Sequence, residues 1–141
     1  DESAARIAAV RAWAATIPSA NGKLATIGFC WGGGRSFATA ATNPPPQAAV
    51  VFYGQAPDSV QILNVRAPVL AHYGGNDARI TATVDATKAT LAKLGRTYEP
   101  HVYDGAGHGF LRQQDTPDGA NLKAAQAAWP RTIEFLRKYL K

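Results

Sequence analysis

The sequence holds a single cysteine and no methionine. One thiol cannot close an internal disulfide, and it excludes a cysteine-based metal cluster. No stretch reaches the ~18 apolar residues that a membrane-spanning helix needs. No signal peptide is visible, which favours the cytoplasm and leaves the periplasm open. A chain that begins at Asp1 with no methionine reads as a processed or trimmed product. There is no internal repeat and no low-complexity linker. The net charge is +5, but Lys and Arg are scattered. Their densest group, Arg131, Arg137, Lys138 and Lys141, reads as a solvated helix face rather than a nucleic-acid surface. Neither a nucleic acid nor a membrane is expected as a partner.

What is present is ordinary for a globular chain, with 46% hydrophobic and 18% charged residues over 141 positions. That length allows one domain with a core and is too short for two, so residues 1–141 are read as a single domain.

The central stretch is Leu24-Ala25-Thr26-Ile27-Gly28-Phe29-Cys30-Trp31-Gly32-Gly33-Gly34. It reads as an apolar strand, a Gly-x-Cys-x-Gly turn and the start of a helix. That is a nucleophile elbow with cysteine in the place usually held by serine. The crowded turn calls for residues without a Cβ, which Gly28 and Gly32 supply. The helix that follows aims its free N–H groups at the nucleophile, where they can hold an oxyanion and favour a thiolate.

Upstream, Ile7, Val10, Trp13 and Ile17 are spaced by three or four. They predict an amphipathic helix over 3–17, capped by Ser3 or Asp1 and stopped by Pro18. Lys23 to Phe29 is the strand into the elbow, and Trp31 to Thr42 the helix out of it. Ala48 to Tyr53 and Pro68 to Tyr73 are continuous apolar runs, the mark of strands buried on both faces. Asp58 caps a short helix to Leu63. Thr81 caps a helix over 82–94 that ends at Gly95. Thr97 to Tyr103 is a strand in which Pro100 marks an edge. The loop Asp104-Gly105-Ala106-Gly107-His108-Gly109 leads toward a last helix from Gly119, which Trp129-Pro130 should kink or restart. The alternation predicts an α/β fold, a parallel sheet of about four strands with helices on both faces.

Cys30, Gly54, Asp77 and His108 all follow predicted strands, on the rim where such sheets form sites. The order Cys30, Asp77, His108 is nucleophile, acid, base as they run along an α/β-hydrolase chain. In that arrangement the Trp31 N–H gives half of an oxyanion hole. Each residue also has a plainer reading. A lone cysteine is usually a small buried hydrophobe, and Asp77 suits a turn or a helix cap. His108 between glycines is hard to explain as core, yet it could sit on an exposed loop without a role. His72 reads as a satisfied core histidine and His101 as exposed. Arg112 is either a surface arginine or a pocket residue able to hold a carboxylate.

With these motifs placed, the chain resembles the dienelactone hydrolase (carboxymethylenebutenolidase) family of α/β-hydrolases. The likeness rests on Gly28-Phe29-Cys30-Trp31-Gly32-Gly33, Val51-Phe52-Tyr53-Gly54, His72-Tyr73-Gly74-Gly75-Asn76-Asp77 and Gly105-Ala106-Gly107-His108-Gly109-Phe110-Leu111-Arg112. It implies an α/β-hydrolase fold and a Cys30-His108-Asp77 triad. It also implies that Arg112 grips a substrate carboxylate, with Tyr53 and Phe110 as further substrate-binding residues. No metal or cofactor is implied. The implied activity is hydrolysis of lactones or small carboxylic esters through a thioester, as in breakdown of chlorinated aromatics. Members of the family carry an N-terminal half with the first strands of the sheet, and the chain matches the C-terminal part. Ile80-Thr81 stands where the family usually has a proline.

The strand over 23–29 then becomes a sheet edge that invites a second copy or another polypeptide. The alternative function is a non-catalytic or incomplete binding or assembly module. A different thiol chemistry on a flavodoxin-like sheet is disfavoured by the late positions of Asp77 and His108.

Overall fold

The apolar runs become the middle of a four-stranded parallel sheet. The computed structural model describes all 141 residues. In chain order the elements are α1 (Glu2–Ala14), β1 (Ala25–Phe29), α2 (Trp31–Thr39), β2 (Ala48–Phe52), a 3-10 turn (Gln61–Asn64), β3 (Val69–Gly74), α3 (Ala78–Thr81), α4 (Val84–Lys93), β4 (Tyr98–Tyr103) and α5 (Ala120–Leu140). The strand order is β1-β2-β3-β4 and every pairing is parallel.

All residues of β2 and β3 are buried. Their alternate side chains feed two separate cores. Ala49, Val51, Val69, Ala71 and Tyr73 point to one face, where they meet Phe37 of α2, Ile80 of α3 and Val84 and Leu91 of α4. Ala48, Val50, Phe52 and Leu70 point to the other, against Ala124, Ala128 and Phe135 of α5. Both faces are therefore covered, as the continuous apolar runs require. Pro100 lies on β4, an edge strand, as expected. The other edge is β1, on which Ile27 and Phe29 keep 43% and 42% of their surface exposed.

Several boundaries differ from expectation. α1 buries no residue, and Val10 and Trp13 are 61% and 65% exposed. Of its apolar stripe, Val10 and Trp13 face solvent and Ile7 is half-buried. What ties α1 down is polar. Asp1 caps it and pairs with Arg35, and Arg11 donates to Thr42 Oγ1 at 3.0 Å and to the Pro44 carbonyl at 3.1 Å. The helix expected over 82–94 forms as α4, starting after Thr83 rather than Thr81, and a separate short helix, α3, precedes it. The hydroxyls of Thr81 and Thr83 bond back to the carbonyls of Asp77 (3.1 Å) and Ile80 (2.9 Å), local bonds that compete with a continuous helix. α5 neither ends nor restarts at Pro130. Pro130 is exposed, so water can serve the carbonyl whose N–H donor it removes. The cap position of the 3-10 turn is Val60 rather than Asp58, but the Asp58 carboxylate braces its start, accepting from the Val60 and Gln61 N–H groups at 2.9 and 2.8 Å.

His72 is the satisfied core histidine the sequence suggested. It is fully buried, with Nδ1 2.9 Å from the Tyr103 hydroxyl and Nε2 3.0 Å from Thr132 Oγ1. Burial pushes its pKa down to about 3, aided by the positive charges of His101 and Arg131. His101 is half-buried rather than exposed, and stacks 5.8 Å from His72. An unfolded His72 takes up a proton near pH ~6.5, whereas the native one does not until near pH 3. The unfolded state therefore binds more protons across that window. Stability should fall as pH falls through it, by ~1.4 kcal/mol per unit. Urea unfolding at about pH 7 and pH 5 should differ by ~2 kcal/mol from this group, and His72→Gln should flatten that slope.

Candidate active site

β1 ends in a turn that only a narrow set of residues can make. Cys30 takes φ 52° and ψ −123°, a strained conformation for a residue with a Cβ. Its N–H donates to the Phe52 carbonyl at 3.1 Å, and its carbonyl accepts from the Gly34 N–H at 3.2 Å. α2 starts at the next residue. A Cβ on Gly28 would lie 1.9 Å from the Gly32 carbonyl oxygen, so β1 and α2 can meet only across a glycine. Gly32 is different: a Cβ there would meet nothing within 4 Å. The two glycines flanking Cys30 thus have separate reasons to be present, and only Gly28 is required by the turn. Trp31, 70% exposed, opens α2, where N–H groups lack intrahelical acceptors.

The acid and base loops are stitched to each other. Asn76 N–H donates to the Ala106 carbonyl and Asn76 Nδ2 to the Gly105 carbonyl, both at 2.9 Å. The Gly75 N–H donates to the Tyr103 carbonyl at 2.8 Å. Asn121 on α5, 3% exposed, accepts from the Gly107 N–H at 2.8 Å and donates to the Gln113 carbonyl at 2.6 Å. These bonds fix the loop that presents His108. Its Nδ1 lies 2.5 Å from Asp77 Oδ2, a short charge-assisted contact. The Asp77 side chain is 9% exposed and the His108 ring 37%. Nothing local in the sequence marks Asn121; only its tertiary contacts do.

Cys30, Trp31, Tyr53 and His108 line one cavity of about 400 Å³. Cys30 and His108 share it without a direct hydrogen bond between them. Tyr53 (φ 41°) sits with its ring 5.1 Å from the His108 ring. Burial raises its pKa to about 12, a nearby thiolate charge at Cys30 adds to that, and Arg112 opposes it. Tyr53 therefore stays a neutral hydroxyl at physiological pH. Phe110 is fully buried and meets the Tyr53 ring edge-on at 5.3 Å. It stands behind the cavity wall rather than in it, because the apolar core under α5 takes its ring. Arg112 is exposed and does not line the cavity. Two arginines that sequence reasoning passed over do line it, Arg35 and Arg79. Arg35 lies four residues after Trp31, one helical turn on, and that spacing was the only available signal. No cluster of His, Cys, Asp or Glu with metal-binding geometry is present.

The sequence profile of the dienelactone hydrolase family matches residues 1–140. The chain belongs to the dienelactone hydrolase family. A carboxymethylenebutenolidase of Rhodococcus opacus is 31% identical over 130 residues, spanning 81% of this chain and 49% of that protein. A provisionally named carboxymethylenebutenolidase of Saccharolobus solfataricus is 35% identical over 120 residues, spanning 84% of this chain and 46% of that one. Among solved structures, a provisionally named dienelactone hydrolase from Klebsiella pneumoniae superposes with a TM-score of 0.78 at 30% identity, covering 96% of this chain and 60% of that one. The dienelactone hydrolase of Anabaena variabilis, 24% identical, shares the fold with a TM-score of 0.71, covering 98% of this chain and 60% of that one. The four-stranded parallel sheet is thus part of an α/β-hydrolase fold. This dienelactone hydrolase family chain spans about half the length of the curated relatives it matches. No helix in it is long and apolar enough to cross a membrane.

Proposed function

We propose that this chain carries the nucleophile, base and acid of a cysteine hydrolase acting on lactones or small carboxylic esters. The observation that carries the reading is the 2.5 Å contact between His108 and Asp77 on the cavity that also holds Cys30. His108 takes the proton from the Cys30 thiol. The thiolate attacks the acyl carbon, and the carbonyl π electrons move onto oxygen. The Trp31 N–H holds that oxyanion. Collapse of the adduct breaks the acyl C–O bond, and the leaving oxygen takes the proton from His108. A thioester remains on Cys30. Water then gives a proton to His108 and attacks the thioester, and the thiolate departs to regain its proton. Asp77 accepts from His108 Nδ1 throughout, fixing the tautomer and balancing the imidazolium. In a lactone the leaving oxygen stays tethered to the acyl group. Tyr53, a neutral hydroxyl in the cavity, contacts the substrate, and Phe110 holds the Tyr53 ring in place. Arg112 attracts a carboxylate from outside the cavity.

Mass spectrometry after brief exposure to p-nitrophenyl acetate tests this. An acetyl group should appear on the peptide containing Cys30 and be absent from Cys30→Ala. It should persist in wild-type protein only until water releases it. No adduct at Cys30 would favour the second reading, an assembly or binding module. The half-exposed Ile27 and Phe29 on the open β1 edge support that alternative, since they could pair with another strand or a second copy.

A further inference from the structure

The cavity beside Cys30 is bounded on its far side by α2, α3 and the Gln61–Asn64 turn. Its charged walls comprise Arg35, Arg79 and Asp58, apart from His108. Two of these three are already satisfied within the chain. Arg35 pairs with the Asp1 carboxylate and lies 5.6 Å from the centroid of the Trp31 ring. Asp58 accepts from the Val60 and Gln61 N–H groups. Arg79 is not. The chain's three ion pairs are Arg6–Glu2, Arg35–Asp1 and His108–Asp77, and none engages Arg79.

The position of Arg79 is nonetheless fixed at its base. It lies two residues after Asp77, the cap of α3, and next to Ile80, which is buried in the sheet core. The Thr81 hydroxyl bonds back to the Asp77 carbonyl at 3.1 Å and holds the turn. A guanidinium without a partner, mounted on a rigid turn beside the acid, suits a carboxylate ligand.

We propose that Arg79 is a specificity-determining residue that receives a carboxylate at the acyl end of the substrate, on the α3 wall of the cavity. The inference rests on the cysteine-hydrolase reading for the orientation of the substrate, but not for the existence of the anion site. Arg35, already neutralised by Asp1, adds field and leaves the direct contact to Arg79.

Two esters of matched length test it: mono-p-nitrophenyl succinate, which carries the anion, and p-nitrophenyl butyrate, which does not. Arg79→Gln should lower kcat/KM for the succinate ester by roughly 10- to 100-fold, mainly through KM, and change the butyrate ester less than about twofold. Arg79→Lys should recover part of the loss. An equal effect on both esters, or none on the anionic one, overturns the proposal. Arg79 is exposed, so neither substitution threatens the fold. Calorimetric titration with succinate separates this inference from the catalytic reading. If wild-type protein turns over neither ester, the hydrolase reading fails, yet succinate should still bind and Arg79→Gln should still abolish that binding. Absent succinate binding in the wild type, or unchanged binding in Arg79→Gln, overturns the arginine site.

Discussion

Replacing Cys30 by alanine is expected to lower turnover of an activated ester by ~10⁴-fold or more. Without the sulfur there is no thioester. His108→Ala should come close to the same loss, because an unassisted thiol delivers little thiolate to the acyl carbon and no proton to the leaving oxygen. The double variant should be no slower than Cys30→Ala alone, since the two groups act as one unit. Cys30→Ser should also be poor, as an alcohol needs a stronger base than a thiol does. Steady-state release of p-nitrophenol reads all four. A His108→Ala variant within about tenfold of wild type would remove the ring from the chemistry and leave its bond to Asp77 a structural one.

The second large effect is on folding. Gly28→Ala should leave little or no native protein. Its Cβ would sit 1.9 Å from the Gly32 carbonyl oxygen and 2.3 Å from the Gly32 carbonyl carbon. Both are backbone atoms, so no side chain can swing aside. Relief requires β1 and α2 to separate, yet β1 is held in register along β2 and the Cys30 N–H is bonded to Phe52. A loss above ~4 kcal/mol is expected, a large part of the ~5–15 kcal/mol that keeps a domain folded. Gly32→Ala is the matched control. It adds a methyl group where nothing lies within 4 Å and removes a helix-weakening glycine, so it should be neutral or stabilising by up to ~1 kcal/mol. Thermal melts of the two variants should diverge sharply. Similar melting temperatures would mean that the turn tolerates a Cβ and that the elbow is looser than its geometry implies.

The contrast between these two glycines illustrates what could be read from the chain. The Gly-x-Cys-x-Gly pattern marks the elbow, but it treats both flanking glycines alike. Which one is indispensable depends on how closely α2 returns over β1, a distance no local pattern encodes. α1 makes the same point in reverse. The spacing of Ile7, Val10, Trp13 and Ile17 predicts a helix, and a helix forms over Glu2–Ala14. The spacing also implies a buried face, yet Val10 and Trp13 face solvent and Ile7 and Ile17 are only half-buried. The helix expected over 82–94 starts at Val84, after Thr83, because the Thr81 hydroxyl bonds back to the Asp77 carbonyl instead of capping it.

The sequence alone determined the layered architecture and the rim on which Cys30, Asp77 and His108 would emerge. Apolar runs, glycines and strand ends are local properties, and local energetics act on them directly. Tertiary structure decided the rest: that Asn121 on α5 anchors the histidine loop, that Phe110 lies behind the wall, and that Arg79 rather than Arg112 lines the cavity. Those outcomes depend on which side chains converge from distant segments. Convergence is set by how helices settle on a twisted sheet, a balance of packing over the whole fold that no short stretch of residues contains.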